Sequence, residues 1–257
     1  MSPDQPADPV AADETMPTQY MDELQDSLSR LSKLATGLLP LEDSLTRVAE
    51  YAVRAIPGAE GAGLTLLEEN RSDTIVSTAD FVARIDDIQY SLGQGPCVSA
   101  VANRQIVLSG SLGGDRRWPQ FGSRVARLGV HSVVSLPLIT DEGVVGAMNV
   151  YAHDKNAFTA DAGRLGELFA VPAAIAVQNA QVLAQTKRLA SQLQAALSSR
   201  GVIERALGIM MSRSGGTEAE ALDRLRTLSQ NQHEKLPAVA QSIVQEAVRR
   251  ARARRTD

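Results

Sequence analysis

Leu168, Ile175, Val182, Leu189, Ala196 and Ile203 recur at intervals of seven residues across six positions. Seven residues bring a side chain back to nearly the same azimuth, so a repeat this sustained marks one long helix with a coiled-coil-like seam. The interleaved positions are weaker, with polar Asn179 and Thr186 ahead of Leu193. Pro172 lacks an amide donor and is expected to kink the helix near its start. The long helix over residues 165–213 thus divides the chain into a part before it and a part packed on its end. Its seam predicts a homodimer.

Charge follows the same division. The 257 residues carry 26 Lys and Arg against 30 Asp and Glu, yet residues 186–257 hold 13 basic and 7 acidic side chains, leaving 13 and 23 for residues 1–185. A basic third on an acidic body points to a polyanionic partner for the C-terminal part, the alternative being a solvated, arginine-rich helical surface. Cys97 is the only cysteine, which excludes a disulfide framework and fits a reducing cytoplasm. No run of about 18 consecutive apolar residues occurs, so no membrane partner is expected. The segment Met1 to Pro17 has neither the basic start nor the apolar stretch of a secretory leader.

Residues 1–20, rich in Pro, Asp, Ala and Thr without periodicity, are expected to be disordered. From Asp22 a narrow stripe of Leu24, Leu28, Leu31, Ala35 and Leu38 predicts a helix that pairs with another helix. Pro40 interrupts it, and a second helix is expected over 41–55. Residues 62–67 and 73–78 form two strand-like runs around a polar turn, a hairpin signature. A second hairpin is read over 132–138 and 143–151. Two hairpins flanked by helices make an α+β domain, an antiparallel sheet with helices around it.

Past the long helix, Ser214-Gly215-Gly216 supplies a left-handed stop. Thr217 with Glu220 three residues on reads as a capping box for a helix carrying Ala221, Leu222, Leu225 and Leu228. The stretch Asn231 to Pro237 breaks that helix, and Val239, Ile243, Val244 and Ala247 mark a third. The end of the long helix and these two make an all-α three-helix unit over 190–250, followed by a basic tail at 251–257.

The string from Ser199 to Met211, Ser-Arg-Gly-Val-Ile-Glu-Arg-Ala-Leu-Gly-Ile-Met-Met, and its continuation from Ala221 to Ala240 resemble the ANTAR family. The resemblance implies a transcription antitermination domain that binds RNA with two adjacent hairpins carrying hexanucleotide loops. Unstacked loop bases expose edges and faces that side chains can read. The residues it implies for that contact are Arg200, Arg205, Gly208, Arg213, Arg226, Ser229, Gln232, His233 and Lys235. The alternative for these is structural: ion pairs at Arg200 and Arg226, a packing contact at Gly208. Three positions depart from the family's usual residues: Leu207 stands where lysine is common, Leu222 where an aromatic is common, and His233 where asparagine is common.

Residues 21–180 resemble a GAF sensor domain through Gly93-Gln94-Gly95-Pro96-Cys97, Asp115 to Phe121, Ser135-Leu136-Pro137-Leu138 and Val145 to Tyr151. The resemblance implies a small-molecule ligand of unspecified chemistry. Cys97, Trp118 and Phe121 are the candidate pocket residues. For Cys97, a thiol activated at a helix start stands against a small buried hydrophobe; for Trp118 and Phe121, a pocket wall stands against core packing. No metal-ligand spacing, nucleophile triad or phosphate loop stands out, so neither cofactor nor enzyme activity is expected. Two other functions remain open for the C-terminal unit: a helix-turn-helix reading duplex DNA, against which the turn from Asn231 to Leu236 counts as long, and a protein-interaction module.

Overall fold

Alternating apolar residues in four of the chain's runs pair into one antiparallel sheet. In the computed structural model, which describes residues 17–34, 39–68 and 71–253, the sheet has five strands: β1 (Gly61–Glu68), β2 (Arg71–Ser77), β3 (Val107–Ser109), β4 (Ser132–Thr140) and β5 (Gly143–Ala152). Their order is β2-β1-β5-β4-β3, and every neighbouring pair is antiparallel. Both expected hairpins form. The first three-residue strand, β3, was not foreseen. The expectations for residues 1–16, for Ala35 and Leu38 of the first stripe, and for tail residues 254–257 lie outside the described residues.

The chain divides into two compact units, Met1–Ala184 and Gln185–Asp257. In the first, the sheet buries both faces. Leu64 and Leu66 of β1, Val134, Leu136 and Leu138 of β4, and Met148 and Val150 of β5 point to one side. There they meet α1 (Thr18–Leu34), α2 (Leu41–Ala55) and the start of α6 (Ala160–Ser214). Leu24 and Leu31 of the narrow first stripe are buried in this core, where α1 packs on α2. Helix pairing is therefore satisfied within the chain. Each fully buried Leu or Phe here is worth about 1.5–3 kcal/mol over leaving it exposed.

The opposite face is covered by α3 (Asp80–Leu92), α4 (Pro96–Asn103) and α5 (Pro119–Ala126). Val82, Ile85, Phe121, Val125, Val133 and Tyr151 form a second core there. Helix α3 ends on Gly93 in the left-handed region at φ 59°, where glycine has no Cβ to clash. The chain then turns through Gly95 at φ 155°, where a Cβ would lie 2.3 Å from the Gln89 side chain.

Helix α6 runs unbroken for 55 residues with Pro172 inside it, so the expected kink does not end the helix. One 18-residue window reaches a mean hydropathy of 1.3 with 33% of it buried, long and apolar enough by composition to cross a membrane, although uninterrupted apolar runs are short. Its inner face, Leu165, Phe169, Ala173 and Val177, packs in the first core. Leu168, Ile175, Val182 and Leu189 of the seven-residue repeat are half exposed, as is Leu193. Ile203 leaves the seam and packs in the second unit's core, because the repeat there turns toward α7 and α8.

The second unit joins the end of α6 to α7 (Glu218–Gln232) and α8 (Leu236–Ala253). Gly215 takes φ 68° as the left-handed cap, and Thr217 and Glu220 form the reciprocal capping box. Ala206, Leu207, Ala221, Leu225, Val239 and Ala240 are its buried core.

Candidate functional site

Two places gather the candidate functional side chains, one in each unit. On the α3–α4 face of the sheet, Thr65, Leu67, Tyr90, Cys97, Val98, Val101, Ala102 and Ala147 line a cavity of about 230 Å³. Thr65 and Ala147 face each other across the β1–β5 ladder, opposite a bulge in β2 where Leu64 pairs with Val76 and Thr65 with Thr74. Bulges re-aim side chains and recur beside sites. The Tyr90 hydroxyl donates to Thr65 Oγ1 at 2.5 Å and lies 3.4 Å from Cys97 Sγ.

Cys97 sits at the second position of α4 and is buried. Burial pushes its thiol up to about 11, the reverse of an activated thiolate. Of its two readings the structure keeps the small buried side chain, now on a cavity wall. The Cys97 amide donates to Gln89 Oε1 at 2.9 Å, and the amides of Gln120 and Phe121 reach Gln94 Oε1 at 3.2 and 3.4 Å. Two glutamines near the end of α3 thus satisfy the open amide ends of α4 and α5, each begun by a proline.

Behind the cavity a buried polar chain runs along the sheet. Ser135 Oγ donates to Asn149 Oδ1, Asn149 Nδ2 to Asp86 Oδ1, and the Tyr151 hydroxyl to the same Asp86 oxygen at 2.7 Å. Burial and the Asp86 charge both raise the Tyr151 and Tyr90 phenols above their ordinary value, burial being the larger cause, so both stay neutral.

Trp118 and Phe121 are in the second core and do not line this cavity, whereas Cys97 does. Trp118 Nε1 donates to Ser99 Oγ at 2.8 Å, and the Arg117 guanidinium stacks 4.3 Å over its ring. Arg117 also pairs with Asp115 at 2.7 Å and donates to the Leu108 carbonyl. These aromatics anchor the α5 side of the fold.

In the second unit, Arg200, Arg205, Arg213, Arg226, Gln232, His233 and Lys235 are exposed and Leu207 is buried. Arg200 pairs with Glu204 and Arg226 with Asp223, each on its own helix and exposed, rather than bridging helices. Such pairs hold an arginine only weakly. Arg205 and Lys235 make no ion pair among the described residues. Gly208 is exposed mid-helix with nothing within 4 Å of an added Cβ, so no packing contact within the chain calls for it.

Ser229 and His233 have structural tasks. The Ser229 hydroxyl donates to the Glu234 carbonyl at 2.6 Å, and His233 caps α7 in the left-handed region at φ 55°. Asparagine tolerates that conformation better than other non-glycine residues, which accounts for its frequency at this position in the family. Only His233, Glu234 and Lys235 separate α7 from α8, so the turn is shorter than the sequence suggested.

The chain thus carries a two-faced sheet with a lined cavity in one unit and a three-helix arrangement in the other. Residues 39–178 match the family model of the GAF domain and residues 191–244 that of the ANTAR domain. The chain belongs to the GAF domain family and carries an ANTAR domain, both of them regulatory domains.

Among solved structures, the GAF domain of Acinetobacter phosphoenolpyruvate-protein phosphotransferase is 15% identical, over 63% of this chain and 97% of that one, with a TM-score of 0.48. The GAF domain of the corresponding Coxiella burnetii protein gives 13%, 63%, 96% and 0.48. Free methionine-R-sulfoxide reductase from Neisseria meningitidis, in complex with its substrate, gives 15%, 68%, 96% and 0.47. No curated protein matches the chain.

Proposed function

We propose that this chain is an RNA-binding transcription antitermination regulator, its ANTAR domain reading tandem hexaloop hairpins under control of the GAF sensor. The observation that carries the reading is the surface of the ANTAR-matched segment. Arg200, Arg205, Arg213, Arg226 and Lys235 stand exposed, as do Gly208 and Gln232, while Ala206, Leu207, Ala221 and Leu225 between them are buried. Exposed guanidinium groups supply phosphate contacts and stacking planes for unpaired loop bases. A helical glycine without a packing role leaves room for a backbone to approach. Leu207 belongs to the core and takes no part in contact, and Ser229 contributes by shaping the turn.

The half-exposed stripe of Leu168, Ile175, Val182 and Leu189 supports a homodimer through α6, one output domain for each hairpin. The sensor's small-molecule ligand shifts the affinity for RNA, the protein acts in the cytoplasm, and no catalytic step is part of the reading. Gel shifts test it: the intact chain retards RNA with two hexaloop hairpins and leaves a scrambled-loop control free. Equal retardation of both rejects loop reading, and light scattering that gives a monomer with and without RNA rejects the dimer.

The three-residue turn between α7 and α8 favours a second reading, a helix-turn-helix on duplex DNA. Against it, residues 236–245 of α8, where a recognition helix would meet bases, carry no charged side chain. Duplex DNA in the same gels separates the two.

A further inference from the structure

We infer that the cavity between β1, β5, α3 and α4 takes a small, uncharged, largely apolar molecule about the size of a substituted benzene. The inference rests on the reading of the GAF unit as a sensor and gives that sensor its ligand class.

The wall decides the charge of the ligand. Leu67, Val98, Val101, Ala102 and Ala147 are apolar, and the remaining lining residues, Thr65, Tyr90 and Cys97, are neutral. An ionic group entering such a half-open site gives up part of its hydration without gaining a counter-charge, which is costly. Burial keeps the Tyr90 phenol and the Cys97 thiol protonated, so neither offers a ligand a counter-charge. A phosphate would meet no lysine or arginine, and an amino-acid zwitterion would meet a partner for neither end.

The volume decides its size. Drug-sized and nucleotide-sized ligands occupy pockets of roughly 300–1,000 Å³. An apolar cavity of about 150 Å³ holds benzene. At about 230 Å³ this cavity accommodates a ring with one small substituent. Thr65 faces Ala147 across the ladder, where a larger residue would fill the space.

The polar atoms decide the orientation. Tyr90 donates to Thr65 Oγ1, so Thr65 retains its own hydroxyl proton for an acceptor on the ligand. One neutral acceptor on an apolar body matches that arrangement.

The test compares three compounds of one shape, benzyl alcohol, benzoate and benzylamine, titrated by NMR into the intact chain and into Ala102→Phe. Ala102 is exposed on α4, so the larger ring closes the cavity without repacking the core, and circular dichroism confirms the fold. Benzyl alcohol is expected to bind saturably, about tenfold or more tighter than either ion, and to lose that binding in Ala102→Phe. Equal or tighter binding of benzoate or benzylamine, lost in the same variant, overturns the ligand class while leaving a sensor. Absence of saturable benzyl alcohol binding, or its persistence unchanged in Ala102→Phe, also overturns it. Affinity for hexaloop RNA, read with and without saturating benzyl alcohol, addresses the sensor reading separately: bound ligand with unchanged RNA affinity counts against that reading alone.

Discussion

The Tyr90 hydroxyl donates to Thr65 Oγ1 at 2.5 Å, tying helix α3 to β1 opposite the bulge in β2. Removing the hydroxyl leaves the threonine with one partner fewer beside the cavity. Tyr90→Phe is therefore expected to cost about 1–2 kcal/mol. Urea denaturation of the intact chain measures it, and an unchanged midpoint would mean that water replaces the bond fully.

The Arg117 guanidinium, followed by the Ser109 hydroxyl, holds the Asp115 carboxyl down to about 2 from its ordinary 3.8. A depressed carboxylate stabilises the fold above its unfolded value, and that contribution is lost as pH falls from about 4 toward 2. Because Arg117 is half exposed, the contribution at neutral pH is below the roughly 2 kcal/mol that the shift alone implies. Asp115→Asn should lower stability at pH 7 by about 1 kcal/mol. It should also flatten the acid limb between pH 4 and 2 in thermal melts recorded against pH.

Thr217 Oγ1 accepts from the Glu220 amide, and the Glu220 carboxylate accepts from the Thr217 amide at 2.9 Å. In a three-helix unit with a small core, one lost cap is a large fraction of the stability. Thr217→Ala should cost about 1 kcal/mol. Hydrogen exchange should show the loss in α7 amides first, with strands β4 and β5 unaffected.

Gly208 lies mid-helix in open space. Gly208→Ala should raise the stability of the second unit by about 0.5–1 kcal/mol, since alanine loses less entropy in a helix. If the open face receives RNA, the same variant binds hexaloop RNA several times more weakly. Paired melting and filter-binding measurements test both halves, and a stabilised variant with unchanged affinity removes Gly208 from the contact.

Much of this architecture is legible locally. The β4–β5 hairpin shows in the valine-rich runs around Asp141-Glu142, and the second unit shows in Gly215, Thr217 and Glu220, because turns and caps are set by neighbours in sequence. What stayed hidden depends on distance. Gln89 caps α4 from eight residues away and Asp86 accepts from Tyr151 across 65, and no spacing rule announces either. The cavity arises only when β1, β5, α3 and α4 meet, so Cys97 was singled out while Tyr90 and Thr65 were missed. Trp118 drew notice as a rare aromatic, yet rarity does not tell a pocket wall from a core anchor. For the residues proposed to face RNA, the family resemblance marked positions, and only the fold separated exposed Arg205 and Lys235 from the turn-forming Ser229 and His233.

The central claim is that the exposed cations of α6, α7 and the following turn read hexaloop RNA. It is tested most directly by the salt dependence of RNA binding for the intact chain and for Arg200→Ala, Arg205→Ala, Arg226→Ala and Lys235→Ala. The account predicts that positions touching bases lose about 1–3 kcal/mol with relaxed loop preference, and that positions touching phosphate reduce the salt slope by about one each. Wild-type affinity and slope in all four variants would contradict it.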